Sequence, residues 1–203
     1  MPALPPRSVI LVTGTSGYIG CSLGLRLLEQ GYFLRGAVKD VASARKIREV
    51  YESEGISVKI LDSMLDFTIV EDLFSEKQWL PALKGVDGVA HVGLMLGDPN
   101  TPEAIDKGIQ GTLSLMRAAS RVGSIKRIVI KTSLATVMYP GVVPDKVLTA
   151  EDWNEDAIRA FDLGHFDVFP PDSKVRPFMI YAVAKAKAEQ LAWRFMEETK
   201  ASD

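Results

Sequence analysis

The run Arg7-Ser-Val-Ile-Leu-Val-Thr13 is apolar and β-branched, and it empties into Gly14-Thr-Ser-Gly17-Tyr-Ile-Gly20. An apolar helical pattern follows, and then a second apolar run that ends at Lys39. Few folds accept a strand, a glycine-rich turn, a helix and a strand in that order. Gly14 lets the chain leave the strand sharply. Gly17 lacks the Cβ that would keep a pyrophosphate at a distance, and Gly20 lets the helix lie close to the strand. The helix start then offers unpaired N–H groups and a partial positive charge to an anion. The segment therefore predicts a dinucleotide cradle.

The rest of the chain predicts an α/β fold, a doubly wound parallel sheet with helices on both faces. Strands are expected near Val9–Thr13, Phe33–Val38, Val58–Leu61, Gly88–Val92 and Arg127–Thr132. Helical patterns fall at Ile19–Gln30, Ala42–Glu54, Thr68–Phe74, Pro102–Val122 and Phe178–Glu198. Thr101-Pro102-Glu103 has a capping hydroxyl, a proline suited to the first helical position and an early acid. The stretch from Pro140 to Pro177, with Pro144, Pro170 and Pro171, is long and irregular, as loops that serve function often are.

Composition narrows the function classes. The 203 residues, 47% hydrophobic and 25% charged, can bury a substantial core and read as one domain, 1–203. A net charge of -2 argues against nucleic acid as a partner. No apolar run approaches the roughly 20 residues that span a bilayer, and no basic segment leads into a secretory core, so the expected compartment is the cytosol. One cysteine, Cys21, excludes an internal disulfide, and two histidines, His91 and His165, cannot build a histidine/cysteine metal site without many carboxylates. Cys21, just inside the first helix, reads as a small buried hydrophobe.

Two further features bear on chemistry. In Tyr181-Ala-Val-Ala-Lys185 a spacing of four sets a phenol and an ammonium one turn apart on a helix face. A phenol works as an acid near neutral pH only if its phenolate is stabilised, and a neighbouring cation does that. Lys131-Thr132-Ser133 ends the fifth strand, where parallel sheets present ligands, and a hydroxyl there can donate to a carbonyl oxygen. Taken singly, each is an ordinary surface pair or turn residue; their joint order points to a nicotinamide-dependent reductase.

Thr13-Gly14-Thr-Ser-Gly17-Tyr-Ile-Gly20, Val89-Ala-His91-Val-Gly93, Ile130-Lys-Thr-Ser133, Tyr181-x-x-x-Lys185 and Ala188-Glu189-Gln-Leu-Ala-Trp193 together resemble the extended short-chain dehydrogenase/reductases of the NAD-dependent epimerase/dehydratase superfamily. The branch most resembled holds dihydroflavonol reductase and the fungal carbonyl and aldehyde reductases. The resemblance implies that Ser133 polarises a carbonyl, Tyr181 protonates the developing alkoxide, and Lys185 assists the tyrosine and holds the nicotinamide ribose. It implies a cofactor set of Gly14, Ser16, Gly17, Tyr18, Ile19, Gly20, Lys39, Lys46, Ser63, Met64, His91, Val92 and Gly93, with Tyr181 and Lys185. Lys39 would face a 2′-phosphate, which favours NADP, while Asp40 keeps NAD open. Lys46, with Arg45, is either a second contact or a solvated helix face. Asp62, Ser63 and Met64 fall where relatives meet adenine, and His91 would line the site.

Family members of this kind continue beyond the catalytic helix, so the resemblance implies a chain lacking the C-terminal strands and substrate region, with the fifth strand left as an apolar edge. Three functions follow from it. The first is reduction of a small ketone or aldehyde; the second a silent nucleotide-binding or dimerising module; the third sugar-nucleotide epimerase or dehydratase chemistry with NAD. Homodimers would pair through Pro102–Val122 and Phe178–Glu198.

Overall fold

The computed structural model describes residues 4–93, 98, 100–138, 147–164 and 175–200. Pro140, Pro144, His165, Pro170 and Pro171 lie outside the described residues. The chain divides into two compact units, residues 1–94 with 114–131 and residues 95–113 with 132–203.

The first unit holds five parallel strands, β1 (Val9–Thr13), β2 (Phe33–Val38), β3 (Leu65–Ile69), β4 (Gly88–His91) and β5 (Arg127–Ile130), in the order β3-β2-β1-β4-β5. Helices α1 (Tyr18–Glu29), α2 (Val41–Ser53), α3 (Val58–Met64) and α4 (Glu76–Leu83) connect the first four strands. The connection to β5 runs through α5 (Glu103–Ser120), whose C-terminal part belongs to this unit.

Strand β1 shows why the sheet is covered on both sides. Successive side chains of a strand point to opposite faces. Ile10 and Val12 join Leu28 of α1, Ile47 and Tyr51 of α2 and Leu61 of α3 in one core. Leu11 instead joins Trp79 and Leu83 of α4 and Leu115 and Ala118 of α5 in another. Helices therefore pack on each face, as a doubly wound sheet requires. Trp79 is fully buried, and its indole N–H donates to the Leu73 carbonyl oxygen at 3.0 Å.

The third strand differs from the sequence expectation. Val58–Leu61 is the start of α3 rather than a strand, because the Ser57 hydroxyl accepts the Ile60 amide and caps a helix. The strand begins at Leu65, where Leu65 and Phe67 turn toward the core while Asp66 faces outward. Asp66 lies opposite Arg35 in the ladder and accepts its Nε at 3.0 Å. Arg35 also donates to the carbonyl oxygens of Ala82 and Lys84, tying β2 to the end of α4. Thr68 and Ile69, expected to open a helix, are held in the ladder against Ala37 and Val38.

At the other side of the sheet, β5 pairs only with β4 among the described strands, and Val129 is 57% exposed.

The second unit is helical among its described residues. It contains the first part of α5, a 3-10 turn at Leu134–Thr136, α6 (Glu155–Asp162) and α7 (Arg176–Lys200). Ala104 and Ile105 of α5, Ala135 of the turn, Ala157 of α6 and Met179, Ile180 and Val183 of α7 form its core. Small side chains let these elements approach closely. No helix among the described residues is long and apolar enough to cross a membrane.

One core group is poorly matched to its surroundings. Tyr51 is fully buried, and its hydroxyl, beside the weakly polar thiol of Cys21, has no well-formed hydrogen bond among the described residues. Burial pushes both the Tyr51 phenol and the Cys21 thiol up, so each stays protonated. A thiol is a weak partner, so the contact with Cys21 offsets only part of the about 1–3 kcal/mol that a wholly unpartnered buried hydroxyl costs. Tyr51→Phe is expected to leave stability unchanged or raise it by about 1 kcal/mol in urea unfolding, whereas most buried tyrosines lose stability on the same change.

Candidate active site

The first unit builds its site where β1 and β4 end side by side. Gly14 leaves β1 with φ of 67°, and a Cβ there would stand 2.7 Å from the Gly93 Cα. A Cβ on Gly20 would lie 2.1 Å from the Gly14 carbonyl oxygen. Both positions therefore demand glycine, one for backbone angle and contact, the other for contact alone. The Gly17 amide donates to the Gly14 oxygen at 2.9 Å, closing the turn, and Gly17 then serves as the N-cap of α1. Having no side chain, Gly17 places no oxygen over the first amides of α1, which can receive an anion. Tyr18 and Ile19 stand exposed at this mouth.

Thr13 fastens the two strand ends together. Its Oγ1 accepts the amides of Val92 and Gly93, each at 3.1 Å, and lies 2.8 Å from His91 Nδ1. With both lone pairs taken, the hydroxyl proton is donated to Nδ1. The neutral imidazole consequently carries its proton on Nε2. The structure thus brings Gly14, Ser16, Gly17, Gly20, His91, Val92 and Gly93 to one edge of the sheet.

Further along that edge, β2 ends at Val38, followed by exposed Lys39. Asp40 is committed elsewhere, since its Oδ1 accepts the Ser43 amide at 2.7 Å and caps α2. Hydrogen bonds from Ser43 hold the Asp40 carboxyl below the usual carboxylate range. Arg45 and Lys46 are exposed on α2.

Ser63 and Met64 require a correction. They close α3 and precede β3, so they stand at the amino end of the sheet, away from the end that carries Gly14. The Ser63 hydroxyl donates to the Lys59 carbonyl oxygen, and Asp62 pairs with Arg48 at 2.6 Å. The carboxyl end of β3 leads instead to Val70-Glu-Asp-Leu73. Gln78 Oε1 accepts the amides of Glu71 and Asp72 at 2.9 and 3.1 Å and fixes that segment. The alternation Leu65-Asp-Phe-Thr-Ile69 was the signal in the sequence that pointed to it.

The second unit contains the other candidate residues. The Ser133 Oγ accepts the Ala135 amide at 3.2 Å, capping the Leu134–Thr136 turn. The Thr136 hydroxyl donates back to the Ser133 carbonyl oxygen at 2.7 Å. This turn packs on α7. Tyr181 and Lys185 lie one turn apart on α7, the tyrosine half-buried and the lysine 6% exposed. One turn further, Glu189 accepts the Thr132 hydroxyl, so the residue before Ser133 is tied to the helix that bears the phenol and ammonium. Ser133, Tyr181 and Lys185 therefore belong to one packed body.

Residues 10–202 match the NAD dependent epimerase/dehydratase family, and the chain belongs to it. The chain is 28% identical over 199 residues to aldehyde reductase 2 of Sporidiobolus salmonicolor, covering 97% of this chain and 55% of that protein. It is 32% identical over 196 residues to dihydroflavonol 4-reductase of Arabidopsis thaliana, covering 95% and 46%. Among solved structures, Gre2 of Candida albicans in complex with NADPH superposes with a TM-score of 0.73 at 22% identity, over 94% of this chain and 53% of that one. Vestitone reductase of alfalfa does so with a TM-score of 0.65 at 24% identity, over 95% and 53%. The chain spans about half the length of these relatives.

The glycine contacts can be tested directly. Gly20→Ala is expected to cost about 1–3 kcal/mol or more in urea unfolding, because backbone rather than a flexible side chain meets the new methyl group. Gly123→Ala, where a Cβ meets nothing within 4 Å, is expected to stay within about 0.5 kcal/mol of the wild type.

Proposed function

We propose that this chain carries the cofactor-binding and proton-donating parts of an NADP-dependent reductase that converts a small ketone or aldehyde to an alcohol. The observation that carries this reading is the packing of the Ser133 turn on the helix that presents Tyr181 and Lys185 four residues apart. The residues fit the cofactor. A glycine-walled turn and an uncapped helix start suit a diphosphate, and Gly14, Ser16, Gly17, Tyr18, Ile19 and Gly20 would hold it.

Electrostatics at the end of β2 favours the phosphorylated coenzyme. An acid there would serve a free ribose diol, but the Asp40 carboxylate accepts the Ser43 amide through Oδ1 and lies 3.9 Å from Lys39 Nζ through Oδ2. Lys39 is exposed and cationic, with Lys46 a second cation on α2, and either charge suits a 2′-phosphate. The Gre2 structure, solved with NADPH, supports the same choice. Asp72 and Leu73, at the carboxyl end of β3, replace Ser63 and Met64 as the residues that would meet adenine.

When bound, the coenzyme supplies hydride, which no side chain can. The protein's task is the oxygen. Ser133 Oγ uses a lone pair on the Ala135 amide, so its proton is left for a carbonyl oxygen. Tyr181 then delivers a proton to that oxygen as negative charge develops on it, which completes the alcohol. Lys185, buried one turn from Tyr181, would favour the same charge through its ammonium and would hold the ribose. The aldehyde and dihydroflavonol reductases it resembles point to the same class of reaction.

Two measurements test the reading. Tyr181→Phe is expected to lower NADPH-linked carbonyl turnover about 10²–10⁴-fold while leaving the Kd for NADPH within about twofold. Full turnover in that variant overturns the assignment, and coenzyme binding by the wild type with no turnover on a panel of aldehydes and ketones points to a binding module instead. Lys39→Glu is expected to weaken NADPH about tenfold or more relative to NADH, measured by thermal shift across a concentration series.

A further inference from the structure

Asn154 has no part in the chemistry above, yet it is 4% exposed and every bond it makes leads to the Ser133 turn or to the start of α6. Its backbone amide donates to the Thr136 carbonyl oxygen at 2.7 Å, and its side-chain Nδ2 donates to the Ala135 carbonyl oxygen at 3.0 Å. Its Oδ1 accepts the Ala157 amide at 3.3 Å and caps α6. A buried amide so used fixes whatever it touches, since each partner left unmatched costs desolvation. What it touches is the turn whose Ala135 amide orients the Ser133 hydroxyl.

We propose that Asn154 is a positioning residue for Ser133: bonded at once to the Ala135 and Thr136 carbonyl oxygens and to the first turn of α6, it locks the turn that aims the serine hydroxyl. Thr132, bonded to Glu189 of α7, holds the same turn from its other end. The serine is thereby fixed between two anchors, one on α6 and one on α7. The proposal rests on the reading of Ser133 as the group that polarises the carbonyl.

The capping and locking roles separate by substitution. Asp caps helices as well as Asn does, so Asn154→Asp preserves the α6 start. It also replaces the Nδ2 donor with an oxygen facing the Ala135 carbonyl oxygen, so the lock becomes a repulsion. Asn154→Ser caps too, but its shorter side chain does not span to Ala135. In the full chain, amide hydrogen exchange followed by NMR is expected to quicken at least about tenfold at Ala135 and Thr136 in both variants. Ala157 and Ile158, in α6, are expected to stay within about twofold of the wild type. With NADPH and an aldehyde, kcat is expected to fall about tenfold or more while the KM for NADPH holds.

Wild-type exchange at Ala135 and Thr136 in either folded variant overturns the proposal, as does equal acceleration in α6, which would make Asn154 a cap and nothing more. Retained kcat beside quickened exchange also overturns it. If Tyr181→Phe keeps full turnover, the chemical reading fails instead, and the exchange data still decide whether Asn154 locks the turn.

Discussion

Everything in the first unit depends on two backbones touching at the ends of β1 and β4. The strands are neighbours at the centre of the sheet, and strand order reverses at this point, since β2 and β3 continue on one side and β5 on the other. Open parallel sheets form a crevice at such a reversal. Here the crevice floor is the contact of Gly14 with Gly93, and its wall is the approach of Gly20 to the Gly14 oxygen. Thr13 fixes the floor by accepting two amides from the β4 side, and in doing so sets the tautomer of His91. A side chain added at either glycine alters the distance between α1 and the sheet, and with it the anion site at the helix start.

This contact explains why so much of the fold was legible in the residues. Strands β1, β2, β4 and β5 are short, largely apolar runs bounded by turn residues, and the glycine pattern fixes the first turn almost without help from the rest. The third strand was hidden for a physical reason. Val58-Lys-Ile-Leu61 is as β-prone as Leu65-Asp-Phe-Thr-Ile69, and the difference lies in Ser57, which caps the first, and in Arg35, which pairs with Asp66 in the second. Pairing across 31 residues is invisible to local propensity. Ser63 and Met64 were misplaced by that shift alone.

The candidate residues of the second unit show the opposite balance. Tyr181 and Lys185 announce themselves by spacing, because four residues make one helical turn. Asn154 does not. Its importance depends on where the Ala135 carbonyl oxygen comes to rest after the intervening chain has folded, and nothing in Trp153-Asn154-Glu155 encodes that position locally. Glu189 is similar, being an ordinary acid on a helix until Thr132 arrives beside it.

A common rule holds within each unit: polar atoms already matched build the scaffold, and those with a proton or charge left over are the candidates for chemistry. Asp40 looks like a ribose acid by position, but its Oδ1 accepts the Ser43 amide to cap α2 and its Oδ2 lies 3.9 Å from Lys39 Nζ, so cap and ion pair share the one carboxylate. Thr13 looks like a hydroxyl free to act, but its two lone pairs and its proton are all assigned. Ser133 differs because its hydroxyl accepts one bond and donates none of those described, while the carbonyl oxygens of Ser133, Leu134, Ala135 and Thr136 around it are all engaged. A hydroxyl held in this way costs little reorganisation when a carbonyl oxygen needs a donor, because the energy of fixing its direction was spent in folding. The precision of the site therefore belongs to Ala135, Thr136 and Asn154 as much as to the serine they hold.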